Sequence, residues 1–351
     1  MADGTSEQLV RALRLVAPGQ ALRDGLDRIL QAKRGALIVV GDDPGVLSLC
    51  TGGFLLDSEF SPQRLGELAK MDGAIILAPD ASRIARANVH LTPKASVPTT
   101  ETGTRHRTAE RVARSLDVPV LTVSAAMSTI AVFAGASKRV LIPTARLVDR
   151  ANQALATLER FRDRFDTGVV RLSMVEVEDA VSVGDVVGVL QPAEVIRRLG
   201  GEVSDALVEL GDEGRLISLQ MLELVEGVAE TAELICADYV VDGDAQVVLA
   251  RLEALPTDRV RDPASFALAL GLLAGDDLHV SPRGYRMLDR VPKMPPPVIE
   301  RLVARFATLP GLLTASLKDL EAVEGVGEAR AREIRTALSR QVETSVLQRF
   351  D

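Results

Sequence analysis

The hydrophobic pattern of this chain changes period once, near Thr144, and that change limits the possible folds more than any other feature. Before it, apolar residues come in short runs rich in β-branched side chains, as buried strands require. Ala36 to Val40 is such a run, closed by the turn-forming Gly41-Asp42-Asp43-Pro44-Gly45. Val46 to Cys50, Ala74 to Ala78, Ile84 to Leu91, Val118 to Val123 and Val140 to Ile142 read as further strands or extended segments. Helical spacing falls between them, at Leu9, Leu13 and Val16, at Leu22, Leu26, Ile29 and Leu30, and from Ser61-Pro62 to Lys70. Strands alternating with helices predict an α/β domain with a mixed sheet over residues 1–143.

After Thr144 nearly every apolar residue carries helical spacing, which predicts an all-α spine over residues 144–291. Within it Leu216 to Ile235 reads as one long helix, with Leu219, Leu222, Val225 and Val228 facing inward. Pro292 to Pro297 marks a stiff boundary. Residues 292–351 then read as helices separated by tight turns. In the last turn, Val323-Glu324-Gly325-Val326-Gly327 alternates apolar residues with glycine between two helices, a helix-hairpin-helix pattern. Such a turn lets the backbone approach closely, and the N–H groups opening the next helix can bind a DNA phosphate. Arg330, Arg332 and Arg335 follow as further phosphate contacts. Residues 300–351 hold eight Lys/Arg and eight Asp/Glu, so the expected DNA affinity is modest and salt-sensitive.

Composition narrows the class. The net charge of −8 argues against a protein that coats nucleic acid along its whole surface. Cys50 and Cys236 lie far apart among apolar neighbours and read as buried hydrophobes, not as a disulfide or zinc site. The first residues lack the basic and apolar regions of a signal peptide, and no apolar run approaches the ~20 residues that span a bilayer. The expected location is the cytoplasm, with no membrane partner.

Two stretches carry chemistry. In Glu101-Thr102-Gly103-Thr104-Arg105-His106-Arg107-Thr108-Ala109-Glu110-Arg111, Gly103 ends a loop and Thr104 is the expected N-cap of a helix running to Leu116. Arg105, His106 and Arg107 then crowd cationic or ionisable groups into a first turn that already favours anions. A bound polyphosphate would resolve that conflict. About thirty residues earlier, Asp72-Gly73-Ala74 sets a carboxylate at a strand edge beside a residue without a side chain. There it can hold Mg²⁺ while a ligand approaches the backbone. A metal carboxylate and a phosphate cradle are the parts that phosphoryl or nucleotidyl transfer needs. No P-loop and no dinucleotide-binding glycine fingerprint is present.

Asp-Gly-Ala, the Arg-His-Arg stretch and the C-terminal hairpin together resemble the DNA-integrity-scanning diadenylate cyclases over the whole chain. The resemblance implies a diadenylate cyclase domain, a helical spine and a helix-hairpin-helix domain. It implies condensation of two ATP into cyclic di-AMP with release of two pyrophosphates, with Mg²⁺ or Mn²⁺ as cofactor. It further implies a homo-octamer with cyclase domains facing in pairs, and branched, Holliday-junction-like DNA that lowers the activity. By the same resemblance Asp72 positions the metal and activates the ribose 3′-hydroxyl, and Gly73 and Ala74 line the nucleotide. Thr104, Arg105, His106, Arg107 and Thr108 hold phosphates, Ser124 lies near them, and the backbone of Leu91 reads adenine. Catalysis falls to Asp72, Arg105 and His106, and DNA contact to Gly325, Val326, Gly327, Arg330 and Arg332. The Ala125-Ala126-Met127-Ser128 segment departs from the more polar or basic one common in that family. Two other functions share the motifs: a non-enzymatic branched-DNA binder with an ATP-sensing domain, and an adenylyl transferase acting on protein.

Overall fold

The fold is that of a computed structural model, which describes residues 7–240, 244–273 and 275–347 of the 351. The chain divides into two compact units, residues 1–153 with 202–219, and residues 154–201 with 220–351.

The first unit is built on β1 (Ala36–Val40), with α1 (Glu7–Leu15) and α2 (Ala21–Gln31) preceding it. There follow α3 (Pro44–Ser48), β2 (Cys50–Thr51), β3 (Phe54–Glu59), α4 (Pro62–Leu68), β4 (Ala74–Leu77), β5 (Arg83–Leu91), α5 (Thr104–Leu116), β6 (Val120–Ser124), β7 (Thr129–Ala134) and β8 (Ser137–Val140). The strands form one eight-stranded sheet in the order β2-β5-β4-β1-β6-β7-β8, with β3 also on β5. Only β1 and β4 run parallel, so the sheet is mixed, as expected. Strand alternation sends Ala36, Ile38 and Val40 to one face and Leu37 and Val39 to the other. The first face packs on Leu13, Leu22, Leu26, Ile29 and Leu65 from α1, α2 and α4, the second on Ala109, Val112 and Ala113 of α5. Both faces of β1 are therefore buried, which is why it reads as an unbroken apolar run.

Two sequence expectations fail here, and two strands go without one. Val46 to Cys50 is mostly helix, because the Asp43 side chain accepts from Val46 N–H and Pro44 occupies the first turn. Two strands carry no expectation from the sequence: β3, whose Phe54, Leu55 and Leu56 are exposed, and β7, whose buried apolar run Ile130 to Ala134 pairs directly behind β6. The last strand is Ser137–Val140, ahead of the expected Val140 to Ile142.

From Thr144 onward the chain is helical. α6 (Thr144–Val177) and α7 (Val183–Leu210) are long. They are followed by a short 3₁₀ turn (Gly211–Gly214), α8 (Arg215–Val225), α9 (Val228–Tyr239), α10 (Ala245–Ala254), α11 (Thr257–Val260) and α12 (Pro263–Ala269). The long helix expected over Leu216 to Ile235 is two helices, broken at Gly227, whose φ of +72° lies in the left-handed region. Of the residues expected inward, Leu219 and Leu222 are exposed while Val228 is buried; Leu216 is exposed as well. The last elements are α13 (Tyr285–Asp289), α14 (Pro296–Phe306), α15 (Leu309–Thr314), α16 (Leu317–Glu321) and α17 (Glu328–Leu347). Their core takes in Met287, Leu288 and Val291, which precede Pro292.

The second unit contains a buried polar joint. Arg286 of α13 pairs with Glu176 of α6 and donates to Ser173 Oγ at 3.1 Å. Tyr239 of α9 donates to Glu176 at 2.7 Å. The neighbouring Asp238 accepts from the backbone N–H groups of Gly284, Tyr285 and Arg286 at 2.7, 2.6 and 3.1 Å, and so caps α13. Burial, with Glu176 nearby, pushes the Asp238 carboxyl up to about 6. Among the described residues no helix is long and apolar enough to cross a membrane.

Candidate nucleotide and nucleic-acid sites

Strand register brings the predicted nucleotide residues to one end of the sheet. β1 and β4 are parallel, with Ile38 opposite Ile75, so Ala36 and Ala74 open at the same end. β5 and β6 run the other way, and their last residues, Leu91 and Ser124, return to that end. Asp72 lies just before β4 and is almost fully exposed, at 94% of its side chain. α5 starts over this end, and Arg105 Nη2 donates to Asp72 Oδ1 at 2.6 Å. Residues thirty-three apart in the chain thus meet as one ion pair.

The start of α5 differs from expectation in its cap. Gly103, not Thr104, is the N-cap, in an extended conformation, and no side chain closes the helix. Thr104 is the first helical residue and is exposed with Arg107, while Thr108 is half-buried one turn on. The backbone N–H groups of the first turn therefore lack a side-chain acceptor, the arrangement that suits an anion. The expected crowding of three cationic groups is also milder than the sequence suggests. Asp72 offsets Arg105. Burial holds the His106 imidazole below its usual value, with Lys138 and Arg105 adding to the effect and Glu101 opposing it, so the ring is neutral at pH 7. That ring meets Phe133 edge-on at 6.3 Å.

Gly73 has a reason for its identity that the sequence does not show. A Cβ there would lie 2.4 Å from both Cα and C of Asn88 on β5, a backbone overlap. Asn88 is itself in the left-handed region, at φ +54°, within the irregular pairing of β4 and β5. The glycine expected to face the nucleotide is needed by the sheet itself. Ala74 is buried, opposite Val89. Leu91 is buried and pairs with Cys50 of β2. Ser124 accepts from Met127 N–H at 3.3 Å across the β6–β7 turn, the segment of Ala125 to Ser128.

Sequence reasoning missed Glu110. It is buried on the inner side of α5, and its Oε2 accepts from Thr99 Oγ1 at 2.6 Å and Thr100 N–H at 3.1 Å. Burial alone would raise its pKa, but these bonds outweigh burial and hold the carboxyl below the usual range. Arg111 Nε donates to Val97 O at 3.0 Å. Together they fasten the loop that delivers Gly103 to the helix start. Nothing in the apolar spacing of α5, carried by Ala109, Val112 and Ala113, marks Glu110.

The second candidate site is the turn before α17. Gly325 is left-handed, at φ +88°, and a Cβ there would press on Val298 and Arg301 at 3.2 and 3.1 Å. Val326 is buried. Gly327 has no such need: a Cβ there would meet nothing within 4 Å. Its carbonyl accepts from Ala331 N–H at 2.9 Å as α17 begins. Arg330 Nη1 donates to Gly325 O at 2.5 Å, Arg332 pairs with Glu328, and Arg335 donates to Ala315 O, so all three expected phosphate contacts already have partners within the module. The earlier turn into α14 has the same left-handed step, at Lys293, φ +57°.

An α/β unit whose one sheet end carries a carboxylate–guanidinium pair, followed by long helices and a helical hairpin module, defines a nucleotide-binding protein with a nucleic-acid-binding tail. Comparison with known families is consistent with each part. Residues 23–137 match the DisA bacterial checkpoint controller nucleotide-binding region, residues 141–278 the linker region of the same family, and residues 308–337 the helix-hairpin-helix motif. DNA integrity scanning proteins DisA from Parafrankia sp. and Frankia alni are 50% and 49% identical to this chain, with each chain covered fully. That of Streptomyces griseus is 49% identical over 98% of this chain and 95% of its own. The chain belongs to the DisA family.

Proposed function

We propose that the protein is a diadenylate cyclase that condenses two ATP into cyclic di-AMP and two pyrophosphates, and that its hairpin module binds branched DNA. The observation that carries the first part is the Asp72–Arg105 pair, which joins the two sequence motifs in one place at 2.6 Å. Oδ1 of Asp72 faces the guanidinium, and the exposed Oδ2 is left to take the proton of a ribose 3′-hydroxyl. The new bond joins that oxygen to the α-phosphorus of a second ATP. The bond from the α-phosphorus to the bridging oxygen breaks, and pyrophosphate leaves in line with the attack. Arg105, Arg107 and the N–H groups of the first turn of α5 bear the negative charge. Neutral His106 donates or accepts one hydrogen bond there, not a full charge.

Among the described residues no three His, Cys, Asp or Glu side chains converge as a metal cage. A lone exposed carboxylate fits Mg²⁺ or Mn²⁺, which take most ligands from water and substrate phosphates. Asp72 would hold the ion, which would supply charge neutralisation of the departing pyrophosphate. One protomer holds one ATP, so each attack needs a second copy facing the first, and a twofold pair satisfies both. A homo-octamer in the cytoplasm is the assembly proposed. At the other site, Gly327 supports docking of a DNA phosphate against bare backbone. The test is incubation of the purified protein with ATP and Mg²⁺ or Mn²⁺, with product identified by mass, with and without a four-way junction. Cyclic di-AMP, made more slowly with the junction, is expected. Absence of that product, with ATP intact or adenylate attached to protein, rejects the reading.

A further inference from the structure

Arg105 does not stand alone over Asp72. Its guanidinium lies against the backbone of Gly35, the residue just ahead of β1, outside both motifs. A Cβ built on Gly35 would fall 2.6 Å from Arg105 Nη1 and 3.3 Å from its Cζ. Next nearest is the carbonyl oxygen of Val123, at 3.3 Å, on the strand that pairs with β1. Gly35 is outside the left-handed region that would demand glycine, so alanine suits its backbone. The one contact closer than 3.0 Å among these is with the guanidinium, so the missing side chain chiefly leaves room for it. Removing that room acts on the flexible end of Arg105, with a few tenths of an ångström asked of Val123.

We propose that Gly35 is a positioning residue for the nucleotide site: its bare backbone is the seat that holds the Arg105 guanidinium over Asp72, aimed at the phosphates of the substrate. The inference rests on the cyclase reading and deepens it by adding a residue that acts only through Arg105. A guanidinium held in one orientation contributes a prepaid, directed pair of hydrogen bonds, whereas one displaced by a methyl group must be reordered at each turnover.

The experiment is a double-mutant cycle on the full-length protein: wild type, Gly35→Ala, Arg105→Ala and the double variant, each assayed for kcat and KM for ATP and for thermal unfolding without nucleotide. Arg105→Ala should lower turnover by about 100-fold, as for loss of one preorganised charge-stabilising group. Gly35→Ala should lower it by at least tenfold, with the same division between kcat and KM, and should unfold at the wild-type temperature. The double variant should fall within about twofold of Arg105→Ala, because residues acting as a unit are not additive. Additive losses would show that Gly35 acts independently of Arg105 and overturn the inference. So would a lowered unfolding temperature for Gly35→Ala, since the methyl group would then be striking the fold and not the guanidinium. An impaired Arg105→Ala beside a fully active Gly35→Ala rejects the seat alone. An Arg105→Ala enzyme as active as wild type rejects both the seat and the role of Arg105 in the cyclase reading.

Discussion

Gly73 and Gly327 sit in the two candidate sites, and the fold treats them in opposite ways. At Gly73 an added Cβ would overlap the backbone of Asn88 at 2.4 Å, whereas at Gly327 it would meet nothing within 4 Å. The same contrast runs through their surroundings. The nucleotide end of the sheet is held from within, by the Asp72–Arg105 pair and by Glu110 fastening the loop ahead of α5. The hairpin turn is open at Gly327, although its neighbour Gly325 lies against Val298 and Arg301 and accepts from Arg330. A site that must place reacting atoms spends interactions on its own geometry. A site that docks on a phosphate needs only to stay out of the way.

Substitutions can break that contrast, and the largest effect should come from its polar centre. Asp72→Asn keeps the shape but removes the charge that pairs with Arg105 and takes the proton. Turnover should fall at least ~100-fold with ATP still bound, which rate and equilibrium-binding measurements would separate. Turnover within a few-fold of wild type would remove Asp72 from catalysis. Gly73→Ala should next lower fold stability by about 1–3 kcal/mol, because the overlapping atoms are backbone and cannot swing aside. Denaturant unfolding checks this, and an unchanged midpoint would show that the β4–β5 contact is softer than its geometry. Gly327→Val should do the reverse. Stability should change by less than about 1 kcal/mol, the scale of a helix-cap change, while junction affinity falls about tenfold. The salt dependence of the remaining binding should be unaltered, since no charge is removed. Undiminished junction binding would mean that DNA does not approach this backbone.

The smallest expected effect is one of sign. His106 has a folded pKa below its usual value, so it takes up its proton more readily when unfolded. The stability it contributes is present above about pH 6.5 and is lost as the pH falls through its lower folded value. Asp238 in the second unit is displaced the other way, from 3.8 to about 6. Its contribution is fully present below 3.8 and is lost as the pH rises through 6. Between pH 7 and pH 5 the two groups therefore push their units in opposite directions. Denaturation at both pH values should show a smaller pH response in Asp238→Asn than in wild type for the transition of the second unit, and His106→Gln should change only the first.

What could be read from the sequence follows from where the information lies. β1 was legible to the residue because both its faces are buried and its apolar run is unbroken. α5 was legible from Ala109, Val112 and Ala113, which share one face. β3 was not, because its apolar residues point outward and its place is set only by pairing with β5. Leu219 and Leu222 have the spacing of a buried stripe but lie exposed, since period reports a face and not what covers it. In the site, the motif residues were visible as types and order. Their meeting was not, because contact between Asp72 and Arg105 depends on one parallel pairing, β1 with β4, that no local pattern specifies. Gly73 was read as room for a ligand, when the neighbour filling that room is fifteen residues away on the adjacent strand.

The joint around Arg286 has an optical consequence. The chain has no tryptophan and two tyrosines, and both, Tyr239 and Tyr285, belong to that joint. One phenol donates to the Glu176 carboxylate, and the other ring lies 5.3 Å from the Arg283 guanidinium. The tyrosine emission of this protein is therefore a local signal. It reports the junction of α6, α9 and α13 and is blind to the sheet, so a spectral change on adding a ligand identifies where in the molecule that ligand is felt.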